Sequence, residues 1–388
     1  MRITIVAGFF SPVAPQVGAS TGTMWQRLAF EFASAGHEVT LVSPHSPNLA
    51  RREKVNAVDH IRLQGADDQD SFLRNLVSDF RWSWRVARNL PAADVVICHT
   101  VTLPVWLRWL KPSAGRVAVV LENMPKGAGR FYGAADHLLP MSAAIVAKLG
   151  AGNPRLARRI TPFHHPIDWA TQARWAESEK FSHASAESLS GTRKLTIGYV
   201  GPIHPEKGLR LLLRAAELLL AEDVPPWRLE IIGPSSISQG GGGEMFRDAL
   251  SADFGRALGD RIAFVDHVSD AEQLAARYGA MDLFCYPSLT EKRENFPVTV
   301  AEAMAAGATP VVSDLPCFRE LVRDEETGLI FDQCPPGGEE RLAAKFARLL
   351  RDGGLRRGLA RRAQEQVRRY DYTESARSLA AQLTSPKT

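Results

Sequence analysis

The stretch from Cys285 to Ser313, C-Y-P-S-L-T-E-K-R-E-N-F-P-V-T-V-A-E-A-M-A-A-G-A-T-P-V-V-S, decides the fold. Residues 282–286, which overlap the start of this stretch, form an apolar run typical of a short buried strand. Pro297 suits the first position of a helix that continues over 298–306, because proline lacks an N–H that would have no partner there. Residues 309–313 predict the next strand. The order strand, polar loop, helix, strand indicates one repeat of a parallel α/β sheet.

Two carboxylates frame the start of that helix. Glu294 lies in the loop before it, and Glu302 lies eight residues later, inside the helix. The first N–H groups of a helix have no internal partner and can hold a phosphate. One glutamate could then reach hydroxyls on each side of the phosphate, which suits a nucleoside diphosphate sugar. An ordinary capped helix with two solvated acids has the same spacing.

The run from Glu294 to Gly307, E-N-F-P-V-T-V-A-E-A-M-A-A-G, resembles the E-x7-E signature of the retaining GT-B glycosyltransferases of family 4. The resemblance implies that Glu294 contacts the donor sugar and Glu302 the ribose. It also implies that the amides of Asn295 and Phe296 contact the diphosphate. Many members have glycine where this chain has Pro297, so one backbone donor is absent here.

The resemblance extends to the start of the same half of the chain. Residues 195–208, L-T-I-G-Y-V-G-P-I-H-P-E-K-G, are similar to the family's y-v-G-R-l-x-x-e-K-G. This similarity places Lys207 on the donor diphosphate and Gly201 beside it, while Pro202 replaces the usual arginine. Residues 262–268 are similar to a strand end that reads the nucleotide base, which implicates Val268. The donor-binding residues inferred from the resemblance are Gly22, Gly201, Lys207, Val268, Ser288, Glu294, Asn295, Phe296, Val298 and Glu302.

The beginning of the chain predicts a second parallel sheet. Strands over 3–7 and 38–43 flank a helix over 24–35, which is a βαβ unit. The loop before the helix lacks G-x-G-x-x-G, which disfavours a nicotinamide dinucleotide site. It does resemble the family's glycine-containing opening, and Gly22 would lie where backbone approaches the donor phosphate.

The acceptor side departs from the family. Relatives carry a histidine after the strand that is predicted here over 116–121, whereas this chain has Glu122 and Asn123. Glu122 could orient or deprotonate an acceptor hydroxyl. Lys126 and Arg130 could meet an acidic group of the acceptor. His99, at the end of another predicted strand, could contact a ligand or be structural.

The fold class expected is α/β, namely GT-B, with two Rossmann-like domains whose parallel sheets face each other across a cleft. A chain of 388 residues fits two domains. We expect an acceptor-binding domain over 1–180, a Ser-rich linker over 181–193 and a nucleotide-sugar-binding domain over 194–368. A C-terminal helix over 369–388 should cross back to the first domain.

Composition excludes several classes of protein. Hydrophobic residues make up 45% and charged residues 23%, as in soluble globular proteins, and no apolar run is long enough to span a membrane. The N-terminus lacks the apolar core of a secretory signal, and the four cysteines form no C-x-x-C. These features predict a cytoplasmic protein without a metal. Asp68-Gln-Asp70 matches the metal motif of another glycosyltransferase fold, but it follows no predicted strand, and we expect residues 46–70 to be irregular.

Positive charge is concentrated in the first half. About 21 Lys and Arg oppose 14 Asp and Glu up to Lys180, against about 26 and 29 afterwards. A predicted helix over 71–90 places Phe72, Leu76, Phe80 and Trp84 on one face, and its arginines lie elsewhere. With the segment 106–111 it could lie peripherally on the anionic inner face of a membrane. The same helix could instead pack its aromatic face on the sheet. No nucleic acid partner is expected.

The function that the resemblance implies is a retaining, metal-independent transfer of a hexosyl group. It needs no cofactor beyond a UDP- or GDP-linked sugar as co-substrate, and the acceptor would be a saccharide, a lipid-linked sugar or a small molecule. Three alternatives remain open at this point: a GT-B nucleotide-sugar epimerase, a phosphorylase-type enzyme, and a catalytically silent nucleotide-sugar-binding protein. The last is suggested by the missing histidine and arginine.

Overall fold

The computed structural model describes residues 1–10, 12–13, 20–69, 71–122, 132–176, 193–291, 294 and 296–384. They form two compact units: an N-terminal unit of Met1–Pro166 with Tyr372–Thr388, and a C-terminal unit of Ile167–Asp371. The division falls earlier than the expected boundary at residue 180. Residues 169–176 (α6) belong to the C-terminal unit because Trp169 donates a hydrogen bond to the Gln364 carbonyl. Nearly all of the expected linker, 181–192, lies outside the described residues.

The N-terminal unit is built on a seven-stranded sheet with the order β3-β4-β2-β1-β5-β6-β7. Every neighbouring pair is parallel except β3 with β4. Its strands are β1 (Arg2–Val6), β2 (Glu38–Pro44), β3 (Arg52–Val55), β4 (Val58–Leu63), β5 (Val95–Cys98), β6 (Arg116–Leu121) and β7 (His137–Pro140).

Helices cover both faces of this sheet. They are α1 (Ser20–Ser34), α2 (Phe72–Asn89), α3 (Leu103–Leu110), α4 (Ala143–Gly152), α5 (Pro154–Ala157) and α14 (Tyr372–Thr384). One core contains Ile5, Trp25 and Leu379, so the last helix packs on the first sheet, as predicted. Arg116 fixes its end by donating to the Leu383 carbonyl at 2.8 Å.

The expectation of irregular structure over residues 46–70 was wrong. β3 and β4 form a hairpin there, and its turn uses Asn56 and Ala57 with φ of 45° and 64°. Two consecutive residues with positive φ match the right-handed twist of paired strands. The pattern was hidden because β4 buries two polar side chains, His60 and Arg62. The Arg62 guanidinium donates to the Ala50 carbonyl at 2.7 Å and pairs with Glu53 at 2.6 Å.

The aromatic face named for α2 does not pack on the sheet. Phe72, Phe80 and Trp84 are exposed, whereas Trp82 and Val86 enter the core. The helix therefore has two apolar faces, and a sequence pattern does not say which of them is buried. Among the described residues, no helix is both long and apolar enough to cross a lipid bilayer.

The C-terminal unit contains a six-stranded, wholly parallel sheet with the order β10-β9-β8-β11-β12-β13. Its strands are β8 (Leu195–Val200), β9 (Trp227–Ile232), β10 (Ile262–Val265), β11 (Leu283–Tyr286), β12 (Thr309–Ser313) and β13 (Leu329–Phe331). The helices after α6 are α7 (Leu209–Leu218), α8 (Glu244–Leu258), α9 (Ala271–Gly279), α10 (Val298–Ala305), α11 (Pro316–Arg319), α12 (Gly338–Arg351) and α13 (Gly353–Val367). Two parallel α/β sheets, one in each unit, agree with the predicted fold class.

Helix α7 shows how the sheet is covered. Leu209, Leu212, Leu213 and Ala216 recur at helical spacing, and all four are buried. Burying each leucine side chain contributes about 2 kcal/mol. The helix begins after Gly208, whose φ of 70° is left-handed, and a Cβ on this glycine would overlap the Pro287 carbonyl oxygen. Glycine at this position therefore lets the loops after β8 and β11 approach each other.

We expect Gly208→Ala to destabilise the protein far more than Gly259→Ala. Gly259 in the same unit also has a positive φ, of 53°, but a Cβ there would meet nothing within 4 Å. The control should lose ~1 kcal/mol from backbone strain alone, and Gly208→Ala should lose at least twice that. Urea denaturation of both variants measures the difference. Equal losses would show that the Pro287 contact is not a constraint.

Candidate active site

The topology of the C-terminal sheet determines where a ligand can enter. β8 lies between β9 and β11, so the chain order reverses at β8. Open α/β sheets bind ligands at such a switch point, outside the carboxyl ends of the strands. Here the loops after β8 and β11 start at Gly201 and Pro287. These loops and the start of α10 carry most of the predicted donor-binding residues.

Lys207 and Glu294 contact each other directly. Lys207 ends a 3-10 turn in the loop after β8, and Glu294 lies in the segment between β11 and α10. The Lys207 Nζ atom lies 2.5 Å from Glu294 Oε1 and 5.4 Å from the ring centre of Tyr286. Both residues are 8% exposed. The ammonium group and the carboxylate that the family resemblance assigned to donor binding are thus paired with each other and largely buried.

Ser288 ties the two loops together around this ion pair. Its hydroxyl lies 2.8 Å from Glu294 Oε1 and donates to it, and the residue is 1% exposed. The next amide, of Leu289, donates to the Glu206 carbonyl at 2.9 Å. The carboxylate of Glu294 is therefore held by a cation and a hydroxyl from the loops on both sides of the switch point.

The start of α10 differs by one residue from the prediction. Pro297 is the N-cap rather than the first helical residue, because its ψ of 77° is not helical. Its carbonyl accepts from Val300 and Ala301 at 3.1 and 3.2 Å. The Val298 amide, which was predicted to contact the nucleotide-sugar donor, instead donates to the Phe296 carbonyl at 2.9 Å. Asn295 lies outside the described residues.

The Phe296 side chain lies in a defined packing environment just before α10. It is 8% exposed and packs edge-on against Tyr370, with the ring centres 5.1 Å apart. The contact anchors the segment before α10 to the end of the C-terminal unit.

Glu302 lies inside α10 in a different environment from Glu294. Part of the residue reaches the surface, but its carboxyl group is enclosed by protein, and burial raises its pKa to about 7. The Tyr278 hydroxyl donates to Oε2 at 3.1 Å and opposes this rise, while the negative charge of Asp168 adds to it. Near neutral pH such a carboxyl group can lose its proton and then accept a hydrogen bond from a ligand hydroxyl.

Two further predicted positions lie at the same edge of the sheet. Gly201 follows β8, and a Cβ there would lie 2.8 Å from the Tyr199 hydroxyl, so the backbone runs close to that ring. Val268 follows β10, is partly buried and packs on the core. Neither side chain supplies a polar group, and their contact with a donor stays a prediction.

In the N-terminal unit the chain order reverses at β1, which lies between β2 and β5. At the carboxyl ends of the neighbouring strands β5 and β6, His99 Nδ1 lies 2.7 Å from Glu122 Oε1. The Trp25 ring contacts His99 edge-on, with ring centres 5.1 Å apart. Burial lowers the pKa of His165, and the negative charge of Glu122 opposes that effect. The sequence singled out Glu122 but not its pairing with His99, although parallel neighbours ending at one edge could have indicated it.

The remaining predicted residues are placed as follows. Gly22 is buried inside the first turns of α1, not in the loop before it, because the helix starts at Ser20. Asn123, Lys126 and Arg130 lie outside the described residues. Asp68 accepts a hydrogen bond from Asn75, and Asp70 is not described. Within the described part of the chain, no three His, Cys, Asp or Glu residues are grouped as metal ligands would be.

Comparison with known proteins adds two family models. The model of glycosyl transferases group 1 matches residues 181–366, and that of glycosyltransferase family 4 matches residues 21–123. The chain is 27% identical over 382 residues to the phosphatidyl-myo-inositol mannosyltransferase of Mycobacterium leprae, covering 94% of this chain and 93% of the relative. It is 31% identical over 195 residues to the D-inositol 3-phosphate glycosyltransferase of Salinispora tropica, covering 48% and 37%.

Solved structures share the fold. Sucrose-phosphate synthase of Thermosynechococcus elongatus superposes with a TM-score of 0.73 at 19% identity, over 98% of each chain. Anabaena HepE in complex with UDP and glucose superposes with a TM-score of 0.69 at 15% identity, over 100% of each chain. At these identities the likeness establishes the architecture alone.

The raised pKa of Glu302 predicts a specific pH dependence of stability. Between its ordinary value of 4.5 and about 7, the folded chain keeps a proton that the unfolded chain has lost. Stability from this group therefore falls as the pH rises through that window. Glu302→Gln should be more stable than the parent at pH 8, by up to ~3 kcal/mol, and nearly equal at pH 4.5. Urea denaturation at both pH values measures this, with the exposed Glu291→Gln as control. A difference that does not change with pH would contradict the assignment.

Proposed function

Because this chain belongs to the family 4 glycosyltransferases of the GT-B fold, we propose that it transfers a hexosyl unit from a nucleoside diphosphate sugar to an acceptor hydroxyl. The proposal includes retention at the anomeric carbon and no metal ion. The observation that carries it is the Lys207–Glu294 pair at the switch point of the C-terminal sheet. A cation suits the diphosphate, and a carboxylate suits the hydroxyls of a sugar.

The donor side needs charge stabilisation above all. When the anomeric carbon–oxygen bond breaks, negative charge develops on the departing diphosphate. Lys207 is a buried cation, and preorganised charge in a site shielded from water stabilises a transition state strongly. The N-terminal end of α10 adds the positive end of a helix dipole. The donor we propose is a UDP- or GDP-linked sugar; HepE, which shares the fold, was itself solved with UDP and glucose.

Donor binding would exchange partners within the ion pair. A diphosphate that reaches Lys207 competes with Glu294 for the same ammonium group, because Lys207 Nζ already lies 2.5 Å from the carboxylate. As that contact weakens, Glu294 becomes able to accept hydrogen bonds from sugar hydroxyls. The lysine and the glutamate thus couple phosphate binding to sugar binding. Glu302 would accept from the ribose hydroxyls, which favours its ionised form and releases its proton.

The acceptor side rests on Glu122 and His99. We propose that Glu122 orients the acceptor hydroxyl and accepts its proton as the new bond to the anomeric carbon forms. His99, 2.7 Å from the carboxylate, would hold it in place. Two relatives are named for phosphatidyl-myo-inositol and D-inositol 3-phosphate. They favour a polyhydroxylated, phosphate-bearing acceptor among the saccharide, lipid-linked and small-molecule classes. The location that we propose is cytoplasmic with peripheral membrane contact.

Variants of the ion pair test the donor site. We expect Lys207→Met to weaken binding of the preferred nucleoside diphosphate by about 10-fold, the equivalent of one charge-assisted hydrogen bond of ~1.5 kcal/mol. Glu294→Gln should leave that affinity unchanged or raised, because the lysine loses a competing anion, yet cut transfer about 100-fold or more. A thermal-shift panel of UDP, GDP, ADP and dTDP sugars identifies the donor, since a bound ligand stabilises the folded state.

The exposed Glu291→Gln in the same segment is the matched control and should keep both binding and transfer. Product analysis with and without acceptor separates transfer from epimerisation of the donor. Full transfer by both Lys207→Met and Glu294→Gln would refute the proposed site. Donor binding without any product over a range of acceptors would indicate a silent binding protein.

Glu122→Gln tests the acceptor side separately. It keeps the shape of the side chain but removes the base, so transfer should fall about 100-fold while donor binding is unchanged. His99→Gln should cause a smaller loss and shift the pH–rate profile, because it acts through Glu122. Steady-state rates from pH 5 to 9 measure both effects. An unchanged rate and profile in the two variants would remove this pair from the reaction.

A further inference from the structure

The exposed side of α2 and α3 carries large apolar side chains that the proposed reaction does not use. Trp109 is 82% exposed and Leu73 is 71% exposed. The other exposed apolar side chains of these two helices are Phe72, Val77, Phe80, Trp84, Val105 and Leu110. We call this set the apolar face. Isolated exposed apolar residues are ordinary, but a contiguous group on adjacent helices marks a contact surface.

The apolar face is not the result of a poorly packed helix. In α2, Leu73, Val77, Phe80 and Trp84 recur at spacings of four and three, so they share one side. The opposite side buries Trp82 and Val86 in the core. One apolar side of α2 is therefore buried in the core, and the second apolar side is exposed to solvent.

Arginines form a second stripe next to the apolar one. Arg74, Arg81, Arg85 and Arg88 recur at spacings of seven, four and three along α2. At 100° per residue this stripe lies beside the apolar side and away from the buried one. The Arg88 guanidinium lies 4.8 Å from the ring centre of Trp84, which joins the two stripes.

Helix α3 extends the surface. The rings of Phe80 and Trp106 contact each other with centres 4.7 Å apart, which fixes α3 beside α2. Beyond that contact, Trp109 and Leu110 project outward, and Arg108 is exposed next to them. Tryptophan is the side chain most favoured at a membrane–water boundary, because its ring is apolar and its N–H is polar.

The charge of the surface has one sign along both helices. Their one carboxylate, Asp79, is buried, and it accepts from the Thr102 hydroxyl at 2.7 Å and from the Thr102 amide at 3.0 Å. Basic side chains therefore face solvent on α2 and α3 without an exposed acid on either helix. A carboxylate lies nearby, since Asp67 lines a shallow surface groove of about 390 Å³ against α2 together with Arg74 and Arg81.

We propose that the apolar face and its arginine stripe dock on an anionic lipid bilayer. The two helices would lie in the plane of the interface, with Trp84 and Trp109 among the headgroups and acyl boundary and the arginines on lipid phosphates. This is the arrangement of an interfacial amphipathic surface, an apolar side flanked by cations. The shallow groove lined by Arg74, Arg81, Leu73 and Val77 would place a lipid phosphate beside both arginines.

This inference deepens the proposed function, because it names the surface at which a lipid-linked acceptor would be met. Only the link between docking and a lipid-linked acceptor rests on the proposed transferase reaction. Binding to a bilayer can be measured without donor or acceptor, so failure of the docking and failure of the transfer are separate results.

Co-sedimentation of the full chain with vesicles tests the docking. We expect binding to phosphatidylcholine vesicles that contain phosphatidylglycerol, little binding to phosphatidylcholine alone, and weaker binding as salt is raised. Each arginine at the surface should strengthen binding by about 5-fold, the equivalent of ~1 kcal/mol. Arg74→Glu with Arg81→Glu should therefore weaken it at least 25-fold by that estimate.

Trp109→Ser with Leu73→Ser tests the apolar contribution and should also abolish measurable sedimentation. Matched controls lie in the C-terminal unit, where Ile237 and Met245 are 77% and 87% exposed and Arg357 and Arg361 are exposed arginines. Ile237→Ser with Met245→Ser, and Arg357→Glu with Arg361→Glu, should bind vesicles as the parent does. A thermal shift with nucleoside diphosphate reports that each variant keeps its fold.

Three results would overturn the proposal. The parent could fail to bind vesicles of either composition. The control variants could lose as much binding as the α2 and α3 variants. The parent could also sediment as a dimer that Trp109→Ser with Leu73→Ser converts to a monomer without changing vesicle binding, in which case the apolar face joins two copies of the chain.

Discussion

The buried ion pair of Lys207 and Glu294 is the interaction on which the candidate site depends. Removing a charge from water costs several kcal/mol unless a partner and hydrogen bonds compensate it. Here each residue compensates the other, and the Ser288 hydroxyl and the Tyr286 ring complete the surroundings. The two residues come from loops after different strands, so their attraction holds those loops in one arrangement. Gly208 makes the approach sterically feasible.

The two glutamates of the signature are set apart by this pairing. Glu294 has a cation at 2.5 Å, whereas the partner of the enclosed Glu302 carboxyl group among the described residues is the neutral Tyr278 hydroxyl, and the pKa of Glu302 rises to about 7. Two glutamates eight residues apart therefore differ in kind: one is a carboxylate paired with a cation, and the other is a carboxyl group that changes its charge near neutral pH. Identical side chains acquire different chemistry from their neighbours alone.

Much of the fold could be predicted from the sequence because buried parallel strands are short apolar runs. β11, β12 and α10 were found to within a residue, and the existence of the last helix and its place in the N-terminal unit were predicted, although its ends lie three to four residues inside the expected 369–388. The β3–β4 hairpin was missed because buried His60 and Arg62 make a core strand look polar. Lys207 and Glu294 could be named separately, but their contact joins residues 87 positions apart. No local spacing encodes such a contact, and the same holds for the choice of which side of α2 is buried.

At two positions, Pro202 and Pro297, this chain lacks polar groups that the family's sequence pattern has, so few groups remain that could bind a diphosphate. Pro202 stands where relatives have an arginine, and its carbonyl accepts from the buried Tyr199 hydroxyl at 2.9 Å, so the position has become part of the packing. Pro297 contributes no amide, and the Val298 amide is engaged by Phe296. In the donor site that we propose, Lys207 is then the principal cation for a diphosphate among the residues described. A site with one principal cation cannot neutralise a diphosphate and hold Glu294 at full strength together. The exchange that we propose between the diphosphate and the carboxylate rests on this composition of the loops, and it would tie release of the carboxylate to arrival of the donor.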